Sequence, residues 1–270
     1  IPYKTLTITT KLNGSASDMP GDVTISGTDV PSIATNRNSG IYTAVDLASN
    51  TNEYSILVGG VDTGEKISLG ETVILDYYST TVNIGGNTAA ESVALRENNG
   101  DSTYLLTETS SNQFLLVEPE VDGTYTLYVN GFKTEYTTIN LSQENSFDVN
   151  LFTTVITTTL NGELVDMDSV IVGEQQAVRE SKGRYTTFSV TTEEASTETV
   201  TILGRNIGSV TVGTEKTVSY YSVEYAQGST EANILPVDNM VYLENDEITI
   251  LSSVTPKDNA YTFVGWSVLG

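Results

Sequence analysis

The sequence predicts an all-β protein built from small tandem modules, and two observations support this fold class. Apolar side chains alternate with Thr, Ser, Asp and Asn along many short segments, such as 6–12 and 125–129. Alternation with a period of two places the apolar side chains on one face of a half-buried strand. Similar motifs also recur along the chain at a fixed spacing, which indicates an array of modules. We therefore expect several small β-sandwiches in series.

The repeated motifs define the modules. Three motifs occur twice. Lys11-Leu12-Asn13-Gly14 is repeated as Thr159-Leu160-Asn161-Gly162, Gly40-Ile41-Tyr42-Thr43 as Gly183-Arg184-Tyr185-Thr186, and Asp76-Tyr77-Tyr78-Ser79 as Ser219-Tyr220-Tyr221-Ser222. Tyr42 and Tyr185 lie 143 residues apart, and Phe114 falls halfway between them. The spacing predicts β-sandwich repeat 1 at 1–79, repeat 2 at 80–153 and repeat 3 at 154–222, followed by a different module at 223–270.

Turn residues separate the predicted strands. These turns are Asn13-Gly14, Asn98-Asn99-Gly100, Asp122-Gly123, Asn130-Gly131 and Lys182-Gly183. Such pairs favour tight turns between strands. In repeat 2 the alternation predicts strands near 81–84, 92–96, 103–108, 113–118, 123–129, 137–141 and 146–152. The segment 87–97 is rich in helix formers, but Val93 and Leu95 align with strand positions of the other copies, so we expect a loop followed by a strand.

Composition excludes several functions. The chain of 270 residues has a net charge of −23, from 35 acidic and 12 basic residues, and it contains neither His nor Cys. This charge disfavours nucleic acid and anionic membranes as partners, and it favours a monomer. Disulfides, Ser-His-Asp triads and His/Cys zinc sites are impossible. No apolar run reaches the roughly 20 residues needed to span a bilayer.

Three groups of carboxylates remain as candidate sites: Glu118, Glu120 and Asp122; Glu193 and Glu194; and Glu244, Asp246 and Glu247. A glycosidase needs two carboxyls held across a cleft, which modules this small do not suggest. Calcium prefers six to eight oxygens, and the chain has no Asp-x-Asp-x-Asp-Gly loop. We expect solvated acidic turns with weak calcium binding at most, no catalytic or metal-binding residues, and no cofactor.

The chain's 15 tyrosines allow two interpretations. Tyr42, Phe114 and Tyr185 occupy one repeat position, which favours a role in the core. Tyr77-Tyr78 and Tyr220-Tyr221 lie at module ends, where one ring of each pair can face the core and the other can pack on the next module. A row of exposed tyrosines would instead indicate stacking on sugars. Trp266 is expected in the core of the last module.

Repeat 2 resembles the prealbumin-like, carboxypeptidase-regulatory type of β-sandwich and the B-type repeats of collagen adhesins. The resemblance rests on the segments 81–84, 91–95 and 113–117 and on Asp122–Gly131, which carries a Gly-x-Tyr-x-Leu-x-Val strand. It implies a non-catalytic surface domain. Such adhesin modules often carry a Lys–Asn isopeptide crosslink, but Lys4, Lys11 and Asn150 do not form the required pairing within one module, so we expect none.

The segment 223–270 resembles the Listeria–Bacteroides B-repeat of internalins, a small β-grasp-like module. The match rests on Val223-Glu224-Tyr225 and on Tyr261-Thr262-Phe263-Val264-Gly265-Trp266. The chain departs from the pattern at Ala226-Gln227-Gly228, and it lacks the closing segment after Trp266.

These observations favour a non-catalytic stalk or adhesion segment of an exported Gram-positive surface protein, located outside the cell at its surface or wall. Short junctions without Gly or Pro predict an extended, stiff array. Its partners would be host or cell-surface proteins or glycans. The alternative is a carbohydrate-binding or accessory segment of a secreted glycan-degrading enzyme. The chain does not begin with Met, and we expect it to be a piece of a longer protein.

Overall fold

In the structure, a computed structural model, every regular element of the described residues is a β-strand, which confirms the all-β prediction. The structure describes residues 3–19, 21–27, 33–36, 39–47, 52–119, 121–227, 232–252 and 254–267. The chain forms two compact units. Unit 1 is Ile1–Leu151 with Val190–Glu194, and unit 2 is Phe152–Ser189 with Ala195–Gly270.

Unit 1 begins with the strands of repeat 1. They are β1 (Tyr3–Leu12), β2 (Ser15–Ala16), β3 (Val23–Ser26), β4 (Ile33–Asn36), β5 (Ile41–Leu47), β6 (Glu53–Val58), β7 (Val61–Ser68) and β8 (Thr72–Gly86). One sheet has the order β4-β5-β1-β8 and the other has the order β3-β6-β7. The first strand, β1, pairs in parallel with the last strand, β8, from Thr7↔Thr72 to Leu12↔Tyr77.

The core of repeat 1 lies between these two sheets, as expected for a β-sandwich. The first sheet contributes Leu6, Ile8 and Tyr42, and the second contributes Tyr54 and Ile56. The alternation read from the sequence is confirmed along β1, where Leu6 and Ile8 are buried between partly exposed threonines.

Repeat 2 has the same architecture. Its further strands are β9 (Val93–Glu97), β10 (Thr103–Leu105), β11 (Thr107–Ser110), β12 (Gln113–Pro119), β13 (Tyr125–Val129), β14 (Phe132–Lys133) and β15 (Asn145–Leu160). β12 and the first part of β15 flank β8, while β10-β9-β13-β14 form the second sheet. The segment 87–97 is a loop followed by strand β9, as predicted.

Two strand predictions in repeat 2 need correction. The predicted strand 103–108 is divided at Leu106, because β10 pairs with β9 in one sheet and β11 pairs with β12 in the other. The predicted strand 137–141 is wrong, since only Ile139 forms a bridge, to Tyr125. The reason is an extra residue: Leu127 and Tyr125 of β13 bond to Tyr136 and Ile139, so the two chains lose register.

No loop separates repeat 1 from repeat 2 within unit 1. β8 runs unbroken for 15 residues. Its first part closes repeat 1 by pairing with β1, and its second part opens repeat 2 by pairing in parallel with β15, from Asn145↔Thr80 to Leu151↔Gly86. The boundary predicted at 79/80 therefore lies inside a strand.

Unit 2 contains repeat 3. After the second part of β15, its strands are β16 (Glu163–Leu164), β17 (Val170–Val172), β18 (Gln175–Gln176), β19 (Val178–Ser181), β20 (Arg184–Thr191), β21 (Thr197–Ile202), β22 (Arg205–Thr211) and β23 (Glu215–Tyr221). β23 pairs in parallel with β15, from Val155↔Glu215 to Leu160↔Tyr220. β18-β17-β21-β22 form the second sheet, and the core again lies between the sheets around Ile156, Tyr185 and Ile202.

The C-terminal segment contains little regular structure in its described part. Its strands are β24 (Ala232–Ile234), β25 (Tyr242–Leu243) and β26 (Thr255–Pro256). β25 pairs with β23 of repeat 3, and Val241 and Leu243 pack against the core of that repeat. The segment is thus attached to repeat 3 by an edge strand and by apolar packing.

Candidate functional site

The first acidic group lies at the end of β12. Glu118 faces Tyr78 of β8 in the pairing register, and burial raises the pKa of its carboxyl group. Burial also raises the pKa of Tyr77, and the charge of Glu118 raises it further. Asp122 is exposed, and its carbonyl accepts a hydrogen bond from the hydroxyl of Tyr125 at 3.3 Å. Glu120, the third member, lies outside the described residues.

The second acidic group is held through backbone contacts. Glu193 and Glu194 are both exposed. The Glu193 N–H donates to Oγ1 of Thr191 at 3.0 Å, and its carbonyl accepts a hydrogen bond from Nδ2 of Asn150 at 3.0 Å. The two carboxylates are therefore positioned as solvated turn residues, in agreement with the expectation from the sequence.

The third acidic group contains an ion pair. Asp246 forms a bidentate ion pair with Arg205 of β22: Nη1 of Arg205 donates to Oδ2 of Asp246 at 2.6 Å, and Nη2 donates to Oδ1. These bonds and one from the N–H of Leu243 lower the pKa of Asp246 to about 2. Glu244 and Glu247 are exposed. No sequence pattern predicts Arg205 as the partner of Asp246, because the two residues lie 41 positions apart.

These acidic residues do not converge. Across the ranges that the structure describes, no three acidic side chains come close enough together to hold a metal ion. Each group instead makes local contacts with backbone, a tyrosine or an arginine. The contacts of these carboxylates in the described residues are therefore structural and electrostatic.

The aromatic predictions are largely confirmed. Tyr42, Phe114 and Tyr185 are buried in the cores of the three repeats. At the module ends Tyr77 and Tyr220 are buried. The tyrosines that follow them differ in exposure. Tyr78 is half-buried opposite Glu118 of repeat 2, whereas Tyr221 is exposed.

Trp266 belongs to a small aromatic cluster and is only half-buried. Its ring lies 4.8 Å from that of Tyr225 and 5.0 Å from that of Phe263, measured between centroids. Its indole N–H donates to the carbonyl of Leu251 at 2.7 Å. The predicted core role is thus met in part, by a cluster that ties both ends of the C-terminal segment together.

Few tyrosine side chains are exposed in the described part of the chain. Among described residues those with strongly exposed side chains are Tyr3 on β1, Tyr221 on β23 and Tyr261 near the C-terminus. The first lies in unit 1 and the other two are 40 positions apart in unit 2. Unit 1 therefore exposes one such ring and unit 2 exposes two.

The residues considered for an isopeptide crosslink lie in different surroundings. Lys11 lies opposite Asp76 in the parallel register of β1 and β8, and Asn150 donates to Glu193. Lys4 is exposed. The prediction that these residues form no crosslink awaits a mass measurement.

Fold and residues together define the class of protein: an all-β modular chain in which repeated sandwiches are stabilised by apolar cores and parallel terminal strands. No helix in the described part of the chain is long and apolar enough to cross a membrane. No protein-family model matches the chain, and no curated protein matches it either.

Solved structures show weak similarity. The Bacillus anthracis TIE protein aligns with 80% of this chain at 14% identity and a TM-score of 0.23, and the chain spans 50% of the length of that protein. A streptococcal ancillary pilin aligns with 81% of this chain and 99% of its own at 8% identity, with a TM-score of 0.23. The I9–I11 tandem of titin aligns with 80% and 97% at 10% identity, with a TM-score of 0.15. Similarities this low identify no ligand or partner for the chain.

Proposed function

We propose that this chain is a non-catalytic stalk segment that bears tension within an exported bacterial cell-surface protein. The supporting observation is the parallel pairing of the first and last strands of each repeat. β1 pairs with the first part of β8, the second part of β8 pairs with β15, and the later part of β15 pairs with β23.

This geometry determines how a pulling force acts. In a repeat whose terminal strands are parallel, opposite forces on the entering and leaving chain slide the two strands along each other. All hydrogen bonds between them then carry the load together. Antiparallel terminal strands would instead separate one bond at a time from one end. Since forced unfolding is governed by the unfolding rate, loading the bonds together slows it.

The absence of catalysis is part of the proposal. The sequence has no His or Cys, which removes the commonest general base and the commonest metal ligands. The carboxylates that remain are engaged separately, as described above. We expect no cofactor, a monomeric chain kept soluble by its net charge of −23, and host or cell-surface proteins or glycans as partners of the whole protein.

Single-molecule pulling tests the mechanical role. Because the chain lacks Cys, handles can be attached at engineered cysteines only. Tyr3→Cys with Asp76→Cys loads β1 and β8 in shear, whereas Tyr3→Cys with Glu71→Cys pulls the same strands apart from one end. All three positions are exposed. We expect a clearly higher unfolding force for the first pair, and equal forces would contradict the proposal.

A glycan array separates the stalk from the carbohydrate-binding alternative. We expect no saturable binding by the full chain. Saturable binding that is lost on Tyr3→Ala, Tyr221→Ala or Tyr261→Ala would instead support the accessory role in a glycan-degrading enzyme.

A further inference from the structure

Two repeated sequence motifs meet in space. Leu-Asn-Gly, at 12–14 and 160–162, lies where the first strand of repeats 1 and 3 ends. Tyr-Tyr-Ser, at 77–79 and 220–222, lies where the pairing of the last strand with that first strand ends. The parallel registers place Leu12 opposite Tyr77 and Leu160 opposite Tyr220. Each Asn therefore follows its strand at the point where the last strand leaves the repeat.

The Asn13 side chain binds Ser79 with both of its polar atoms. The Ser79 N–H donates to Oδ1 of Asn13 at 2.9 Å, and Nδ2 of Asn13 donates to Oγ of Ser79 at 2.8 Å. The Asn13 N–H also donates to the carbonyl of Tyr77 at 2.9 Å. The side-chain amide thus continues the β1–β8 ladder by one step beyond the end of β1.

Ser79 is the position where β8 passes from one repeat to the next. On this edge of β8, pairing with β1 ends at Tyr77 and pairing with β15 begins at Thr80, and both Ser79 and Thr80 are buried. Without Asn13, the N–H of Ser79 would lose its acceptor inside the junction, and an unpaired buried donor is costly. The Asn13 side chain therefore supplies the hydrogen bonds at Ser79 that neither β1 nor β15 provides.

The same arrangement occurs a second time in unit 2. The Ser222 N–H donates to Oδ1 of Asn161 at 3.1 Å, and Nδ2 of Asn161 donates to Oγ of Ser222 at 2.7 Å. Asn13 and Asn161 share a left-handed backbone, with φ of 52° and 51°. The same donor and acceptor atoms and the same backbone conformation thus recur where the repeat motifs recur, so this contact belongs to the repeat.

We propose that Asn13 and Ser79 form a latch that couples repeats 1 and 2 into one cooperatively unfolding body. The latch holds β8 to repeat 1 at the residue where β8 enters repeat 2, so repeat 1 cannot open without disturbing the strand that repeat 2 is built on. This coupling is a property of the folded chain in solution and does not depend on the stalk function.

Hydrogen exchange of the full chain, followed by mass spectrometry across a urea series, tests the latch. In the unaltered chain, peptides from β5 of repeat 1 and from β9 and β13 of repeat 2 should share one urea midpoint. Asn13→Gly keeps the left-handed turn and removes the side chain. We expect the repeat 1 midpoint to fall below that of repeat 2, and the Ser79 amide to exchange about fivefold to tenfold faster.

Three further variants complete the design. Asn13→Asp retains the acceptor for Ser79 and should separate the midpoints less than Asn13→Gly. Ser79→Ala retains the N–H donor and should do the same. Asn161→Gly removes the equivalent latch in unit 2 and should leave repeats 1 and 2 coincident. Separate midpoints in the unaltered chain, or an equal shift of both repeats in Asn13→Gly, would overturn the proposal.

Discussion

Gly183 and Gly162 both adopt a left-handed backbone, with φ of 66° and 87°, but their surroundings differ. A Cβ at Gly183 would lie 2.7 Å from the carbonyl oxygen of Thr158, whereas a Cβ at Gly162 would meet nothing within 4 Å. Gly183 also donates its N–H to Asp166, as the equivalent Gly40 does to Asp18. The glycine that opens the repeated Gly-x-Tyr-Thr motif is thus required by backbone conformation and by space.

This difference predicts the cost of an added methyl group. Gly162→Ala should destabilise unit 2 by about 1 kcal/mol, the cost of a left-handed backbone for an L-residue. Gly183→Ala should cost about 1–3 kcal/mol more, because the backbone of β15 must move. Urea unfolding followed by circular dichroism would measure both, and equal losses would show that the close approach to Thr158 is relieved at no cost.

Among the two-residue hairpin turns that the structure describes, the turn at Leu203 is the one whose residue type disfavours the observed backbone conformation. The hairpin turns at Asn13-Gly14, Asn130-Gly131 and Asn161-Gly162 carry Asn at positive φ, but Leu203-Gly204 carries Leu at φ 52°. Asn is favoured there and Leu is not. Leu203 is also exposed, so it gains little from packing.

We therefore expect Leu203→Asn to stabilise unit 2 by about 1 kcal/mol. Leu203→Ala is the matched control, since Ala removes the exposed side chain but keeps the unfavourable conformation. Thermal unfolding of the two variants should differ by a few degrees in favour of Asn. Equal melting temperatures would show that exposure of the leucine side chain, and not φ, determines stability at this turn.

At the scale of the element, β25 is a two-residue strand that pairs with β23. The ion pair between Asp246 and Arg205 of β22 holds the residues that follow β25, and Val241 and Leu243 pack against the core of repeat 3. Arg205 holds the pKa of Asp246 at about 2. A lowered pKa stabilises the folded state above the unfolded value of 3.8, and that contribution is lost as the pH falls from about 4 towards about 2. Attachment of β25 should weaken over the same interval.

Asp246→Asn should therefore release β25 at neutral pH and remove the pH dependence of its attachment. Faster amide exchange at Tyr242 and Leu243 would report the release, with β17 and β21 unchanged. Glu244→Gln, a neighbouring exposed carboxylate, is the control. Unchanged exchange in Asp246→Asn would show that Val241 and Leu243 hold the strand by apolar packing alone.

Most elements could be predicted from local sequence, and the exceptions have physical causes. β9 and β13 are predictable because the period-two alternation and the Asn-Gly turns that define them are patterns of neighbouring residues. The error at 137–141 arose because pairing across one extra residue breaks a ladder without altering the alternation. The length of β8 was not predictable either, since its two parts are stabilised by different partners.

At the scale of the whole molecule, charge is the dominant feature. With 35 acidic and 12 basic residues, the folded chain repels itself, and salt screens that repulsion over about 10 Å at 0.1 M. We expect the melting temperature to rise by a few degrees with added NaCl. At matched ionic strength, MgCl₂ and CaCl₂ should have equal effects, as divalent screening requires. An additional rise with calcium alone would reveal a specific calcium site.

The sequence by itself determined the all-β class, the repeat spacing and the buried positions Tyr42, Phe114 and Tyr185, because these follow from periodicity along the chain. Only the tertiary structure decided that β8 serves two repeats and that Asn13 binds Ser79, 66 positions away. The same is true of Arg205 and Asp246. Such contacts depend on which strands become neighbours and in what register, and a one-residue shift would remove every one of them.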